Sequence, residues 1–204
     1  ELLKAEPLMQ RALEINEKNF GPDNKIASTI LGNLGLLNMK IGRYDMAEIF
    51  FKRSLSITEK LYPEDPEIAT TLQNLGHIYC KVSAFEKAEA MVKRAILIRE
   101  KKLGSDHLNV ASTLSVLAMI YIDKYAYSDA LPLLERALAI AESKLDPWHP
   151  ELASYLSMLG VLHCDQGEYA EAEAFYLRAL EIREKALGPD HPDVALIKNN
   201  LGVL

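Results

Sequence analysis

Small residues recur along this chain at intervals of 41 or 42 residues, and a repeat of that length leaves few ways to fold. The first column is Gly35, Gly76, Ala118, Gly160 and Gly202. Twelve residues after each of the first four stands an alanine: Ala47, Ala88, Ala130, Ala172. Six further on is an arginine (Arg53, Arg94, Arg136, Arg178), followed by Ser54, Ala95, Ala137 or Ala179. The frame extends backwards to Ala5, Arg11 and Ala12. A fixed period in this range marks a solenoid, in which each unit buries its apolar face on its neighbours.

Spacing within one unit says what the unit is. Leu31, Leu34 and Gly35 fall at i, i+3 and i+4, one face of a helix, and the face recurs as Leu72, Leu75, Gly76 and Tyr79, then Leu114, Leu117, Ala118 and Tyr121. A turn follows near Gly42, Ser83, Tyr125 and Gly167, and a second amphipathic stretch begins at Tyr44, Phe85, Tyr127 and Tyr169. Two antiparallel helices on so short a turn approach closely, and Gly or Ala on each facing side permits it. Gly76 is expected to face Ala88 across such a hairpin.

The pattern resembles the tetratricopeptide repeat, whose usual unit of about 34 residues is exceeded here by about eight. The extra length lies in a longer second helix and in linkers such as Gly104–His107, Pro147–Pro150 and Gly188–Pro192. Phrases such as RALEIREKALGPDHPDVA are similar to the long repeats of kinesin light chains and nephrocystin-3. The resemblance implies an all-α fold, a right-handed α–α superhelix of antiparallel hairpins. On this frame, residues 1–20 are a half repeat with its second helix only, and 24–61, 66–103, 107–145 and 149–187 are complete repeats. Residues 191–204 are then a truncated first helix, so both ends are expected to fall within repeats of one solenoid.

Several function classes drop out. At 49% hydrophobic and 25% charged the composition is ordinary for a globular domain. No apolar run approaches the ~18 residues of a membrane span. Cys80 and Cys164 hold equivalent places two units apart, too far for a disulfide; reduced thiols suit an intracellular, cytoplasmic protein. His107, His149 and His191 each belong to a different repeat without metal-ligand spacing. They sit at helix starts beside Asp106 and Asp190, where aspartate is expected to cap. No nucleophile, paired carboxylate or phosphate loop emerges, and Glu48, Glu89 and Glu173 read as a solvated face. The chain reads as a non-enzymatic protein needing no cofactor or metal.

Binding then falls to the first-helix surface that packing leaves free, which the resemblance places on the concave side of the superhelix, where ligands of such arrays lie. Helical geometry selects Asn33, Leu36 and Lys40 there, then Gln73, Asn74, His77 and Lys81. The same face continues through Ser115, Val116, Met119, Met158 and Val161 to Asn200. Asn is a poor mid-helix former, yet its amide can donate to and accept from one peptide unit. In kinesin-light-chain-like repeats the matching Asn grips cargo peptides, which implies that role for Asn33, Asn74 and Asn200. Val116 and Met158 interrupt that column, and with Met119 and Val161 they form an apolar floor. The carboxylate clamp of chaperone-tail-binding tetratricopeptide domains does not match, with Gly32 and Leu36, then Gln73 and His77, at its positions.

Charge is uneven: residues 1–102 carry 16 basic against 14 acidic residues, and residues 103–204 carry 7 against 15. Along the groove this becomes Lys40 and Lys81 at one end, Asp123 and Asp165 at the other, a polarity that orients a bound segment. Nucleic acid is excluded as a partner for want of a basic stripe. The reading is an adaptor binding an extended segment of a cargo or signalling protein in its groove. The alternative is a structural, autoregulatory or oligomerisation segment of a larger signalling protein. Weak end-to-end self-association is also expected, through apolar faces carrying Leu3, Leu8 and Leu13 at one end and Leu201, Gly202 and Val203 at the other.

Overall fold

A computed structural model of the chain describes residues 2–204, with side chains from Ala5 onward, so the Leu3 side chain lies outside the described residues. Among these residues there are ten α-helices and no strand. The chain divides into two compact units, Glu1–Lys102 and Leu103–Leu204. The first holds α1 (Leu2–Phe20), α2 (Lys25–Lys40), α3 (Tyr44–Leu61), α4 (Glu67–Lys81) and α5 (Phe85–Leu103), the last residue of α5 falling past the boundary. The second holds α6 (Leu108–Asp123), α7 (Tyr127–Lys144), α8 (Pro150–Asp165), α9 (Tyr169–Leu187) and α10 (Pro192–Val203). In the first unit α2 packs on α3 and α4 on α5; in the second, α6 packs on α7 and α8 on α9. Within each unit consecutive hairpins stack through neighbouring helices, α1 on α2 and α3 on α4, then α7 on α8 and α9 on α10. The fold is all-α, built in each unit from stacked antiparallel helical hairpins.

The glycine column sets the approach of each helix pair. A Cβ built on Gly35 would stand 2.8 Å from the Phe51 ring, and one on Gly160 would stand 2.6 Å from the Tyr176 ring. At Gly76 it would collide with Val92 and lie 3.4 Å from the Ala88 carbonyl oxygen. So Gly76 does meet Ala88, at the backbone, but the side chain filling the contact is Val92, four residues on. Ala118 and Leu134, the corresponding pair, are both fully buried. At Gly35, Gly76 and Gly160 the large residue sixteen positions on therefore lies flush on the facing backbone, where an added Cβ would have to displace it.

The turns share one device. Gly42, Ser83, Tyr125 and Gly167 all take positive φ, at 77°, 57°, 58° and 79°. The backbone N–H of the next residue then reaches back to the carbonyl five residues before it, as in Arg43 to Asn38 at 2.9 Å and Ala126 to Tyr121 at 2.8 Å. This closes the helix C-terminus in the manner of a Schellman motif. Two of the four places hold residues with a Cβ, which is strained in that region.

The linkers are capped by histidine, not by the aspartate expected from sequence. Nδ1 of His107, His149 and His191 accepts the backbone N–H two residues on, from Asn109 (3.1 Å), Glu151 (3.2 Å) and Asp193 (3.1 Å). The arginine column ties second helices to one another: Arg53 pairs with Glu17 at 2.5 Å, Arg94 with Glu59, and Arg178 with Glu142 at 2.6 Å. Glu48 is not merely solvated either. It accepts from the Tyr79 hydroxyl at 2.9 Å and pairs with Lys52 at 2.6 Å, and the Lys52 hydrogen bond holds its carboxyl below the usual range.

Two substitutions test these contacts. Gly76→Leu overpacks the Val92 contact and should cost about 1–3 kcal/mol or more; thermal melting within a degree of the parent would count against the helix pairing. Tyr125→Gly relieves a bulky residue, 79% exposed, from φ 58°, and should raise denaturant stability by about 1 kcal/mol; a loss of stability would show that the turn is not strained.

Candidate functional site

In the first unit α2, α3 and α4 enclose a cavity of about 300 Å³. Asn33 and Leu36 of α2 and Asn74 of α4 line it together, beside Gly32 and Phe51. Neither the Asn33 nor the Asn74 amide hydrogen-bonds another described residue. Both sit mid-helix, where an Asn side chain competes with the backbone for hydrogen bonds and propensity gives no reason for it.

The floor of the cavity is polar. Ser28 and Ser54 line it, and buried Thr58 stands behind them. The Ser54 hydroxyl donates to the Ser28 carbonyl at 2.8 Å, Thr58 donates to the Ser54 carbonyl at 2.9 Å, and Ser28 lies 2.6 Å from the Thr58 hydroxyl. At the rim Lys25 pairs with Asp65, whose other oxygen accepts the Glu67 backbone N–H at 2.9 Å. Burial pushes the Asp65 carboxyl up, but those two hydrogen bonds outweigh it and the net shift is downward. Asp65 is therefore a carboxylate at neutral pH.

The remaining sequence-selected residues of this unit lie outside the cavity. Gln73 accepts from the guanidinium of Arg99, which also reaches Thr70 at 3.5 Å. Burial pushes the Arg99 pKa down, and Glu67 partly opposes it. Arg99 was not foreseen, though its recurrence two units later as Arg183 was visible. Arg183 donates to Ser154 at 2.8 Å and pairs with Asp193 at 3.2 Å. Lys40 and Lys81 are exposed, and His77 is partly buried beside Lys81.

In the second unit the same face is more apolar. Val116, Met119 and Met158 are partly buried, Val161 is 36% exposed, and Ser115 spends its proton on the Ser112 carbonyl at 2.9 Å. Asn200 differs from Asn33 and Asn74 in standing near the Tyr176 hydroxyl; burial pushes that phenol up to about 12, and Asn200 opposes the shift only weakly. His163 stacks on Phe175 with centroids 5.2 Å apart and bonds Glu168 at 2.6 Å. Neither Cys80 nor Cys164 forms a disulfide. Among the described residues no group of three or more His, Cys, Asp or Glu side chains could hold a metal ion, and no helix is long and apolar enough to cross a membrane.

Stacked hairpins with a free first-helix face define a repeat protein of the interaction-scaffold class. Sequence models described as tetratricopeptide repeat match residues 1–60, 67–143 and 152–193, and the chain belongs to that family. Among solved structures it is similar to BtubC (BKLC) from P. vanneervenii, at 29% identity and a TM-score of 0.81, covering 94% of this chain and 76% of that one. A kinesin-light-chain-like array of nearly identical TPR-like repeats from Podosopora anserina is 20% identical with a TM-score of 0.77, over 90% of this chain and 87% of that one. The apo form of RapI is 17% identical with a TM-score of 0.74, over 96% of this chain and 52% of that one. The last two show the shared fold alone. No curated protein gives a significant match. Proteins of this family act in general as protein–protein interaction scaffolds.

One residue of the face has a pH signature. Burial first, and Lys81 second, lower the His77 pKa below its ordinary 6.5. On acidification the unfolded chain takes up this proton before the folded one. The contribution of His77 to stability is therefore complete above 6.5 and is lost as pH falls through the folded value. His77→Leu, which installs the residue found at position 36, should flatten the loss of stability as pH falls below 6.5; an unchanged acid limb in denaturant titrations would remove His77 from that account.

Proposed function

We propose that the chain is a non-enzymatic adaptor whose first-helix face binds an extended peptide segment of a partner protein, a cargo or signalling protein. The observation that carries this reading is the pair of uncommitted amides, Asn33 and Asn74, lining one cavity with Leu36 between them. An amide offers a donor and an acceptor together, matching the N–H and C=O of a peptide unit whatever its side chain. Two such groups on successive first helices hold an extended strand by its backbone and leave its side chains to select the partner. Lys40 and Lys81, exposed at the C-terminal ends of the same helices, add a positive edge that favours acidic residues on that side of the ligand. In the second unit the Val116, Met119, Met158 and Val161 surface suits apolar side chains, methionine adapting to their shape.

Asn74→Ala should weaken peptide binding by about 1–3 kcal/mol in calorimetry while leaving the melting temperature near that of the parent. Equal affinity would remove the backbone grip. Lys40→Glu combined with Lys81→Glu should slow association of acidic peptides selectively and blunt its salt dependence; the same effect on basic peptides would remove the charged edge.

A further inference from the structure

The first complete hairpin breaks the pattern of the other three at two buried places and one partly buried one. Ser28 stands where they have Ala69, Ala111 and Ala153, and Ser54 where they have Ala95, Ala137 and Ala179. Above both, Gly32 replaces Gln73, Ser115 and Ser157. Alanine packs those two inner sites to full burial in every other hairpin, so the hydroxyls are not required for the helix contact. Burying hydroxyls costs free energy unless each finds a partner. Gly32 is not there for packing: a Cβ on it would meet only Ser54 Oγ, at 3.8 Å. Together the three changes open a polar recess.

Apart from the Asn33 and Asn74 amides, which both donate and accept, the recess offers acceptors and few donors. Ser54 has given its proton to the Ser28 carbonyl, Thr29 to the Lys25 carbonyl, and Ser28 is directed at Thr58 and the Ser54 carbonyl. What these oxygens still present to the cavity is lone pairs. The rim holds two carboxylates, Asp65 and Glu67, against one ammonium, Lys25, which is already paired with Asp65. The roughly half charge at the α4 N-terminus is met by Asp65, which accepts the Glu67 N–H. The Glu67 carboxylate takes no part in the Lys25–Asp65 pair; it stands within electrostatic reach of Arg99, which does not line the cavity. A group that complements the serine oxygens and Glu67 has several donors and a positive charge, and an apolar stem to lie along Leu36 and Phe51.

We propose that the cavity beneath Gly32 is a specificity pocket for one cationic side chain, a lysine or arginine, of the segment bound on the first-helix face. This rests on the groove reading above, and adds to it the chemistry of one ligand residue. The bound segment then places its basic residue toward Glu67 and its acidic residues toward Lys40 and Lys81.

The test uses the full chain and two kinds of probe. In the first arm, N-acetyl-arginine and N-acetyl-lysine methylamides are titrated while the backbone amide signals of Gly32 and Ser54 are followed by NMR; the citrulline and norleucine counterparts serve as neutral controls. The cationic probes should shift both signals saturably and bind about tenfold more tightly than the neutral ones. Glu67→Gln, an exposed change that keeps shape, should remove most of that preference, and Gly32→Gln should abolish the shifts. Equal binding of citrulline, no saturable shift at Gly32, or an unchanged preference in Glu67→Gln overturns the pocket. In the second arm a tiled peptide library is bound to the parent, Gly32→Gln and Asn74→Ala chains. A basic residue at one fixed position among binders, lost only in Gly32→Gln, supports the proposal, and binders without that bias overturn it. Peptide binding indifferent to Asn74→Ala sinks the backbone grip alone, since the single-residue probes report on the pocket without it.

Discussion

Everything in this molecule hangs on the contact between a glycine or alanine of a first helix and a large side chain sixteen residues later on the second. At Gly35, Gly76 and Gly160 that side chain lies so close to the facing backbone that a single added carbon would have to displace it. The approach lets one side chain serve as the filling of the hairpin, and leaves the rest of each second helix to meet its neighbours. With one face of the first helix consumed in this way and its flanks committed to stacking, a narrow strip remains uncovered. Asn33, Leu36, Asn74 and His77 stand on it because the packing has used the other directions.

The hairpin architecture was legible because it rests on residues whose smallness has one reason. A glycine in mid-helix is unfavourable by propensity, so its recurrence at 41 or 42 residues announces a close approach. The turn positions were equally visible, although Ser83 and Tyr125 gave no sign that they would share the left-handed conformation of Gly42 and Gly167. What escaped were features set by direction and reach. Whether His107 or Asp106 caps a helix is decided by a β-region backbone at His107, which turns its Nδ1 toward Asn109. The long Arg99 side chain reaches from a second helix over to Gln73, a contact no helical spacing rule contains.

The candidate site was half legible for a chemical reason. Asn33, Asn74 and Asn200 hold one register position, yet only one of them stands beside a hydroxyl. Tyr176 and Phe51 hold equivalent places, but only Tyr176 has a hydroxyl for the neighbouring Asn200 to bond. Asn74 lines the cavity with Phe51, whose ring offers nothing to an amide. Likewise Ser54 looked like an ordinary member of a small-residue column. Its difference from Ala95, Ala137 and Ala179 acquires meaning only when Ser28 and Gly32 are seen beside it.

The arginine column has a consequence for how such a chain comes apart. Arg53 with Glu17, Arg94 with Glu59, and Arg178 with Glu142 each bridge two hairpins, and none lies within one. In a one-dimensional array these partly exposed pairs enter the nearest-neighbour term and not the intrinsic term of a unit. Dissolved salt therefore acts selectively on the joints. As ionic strength rises, each hairpin keeps its apolar contact while its coupling to the next is weakened, and melting becomes less of an all-or-none event.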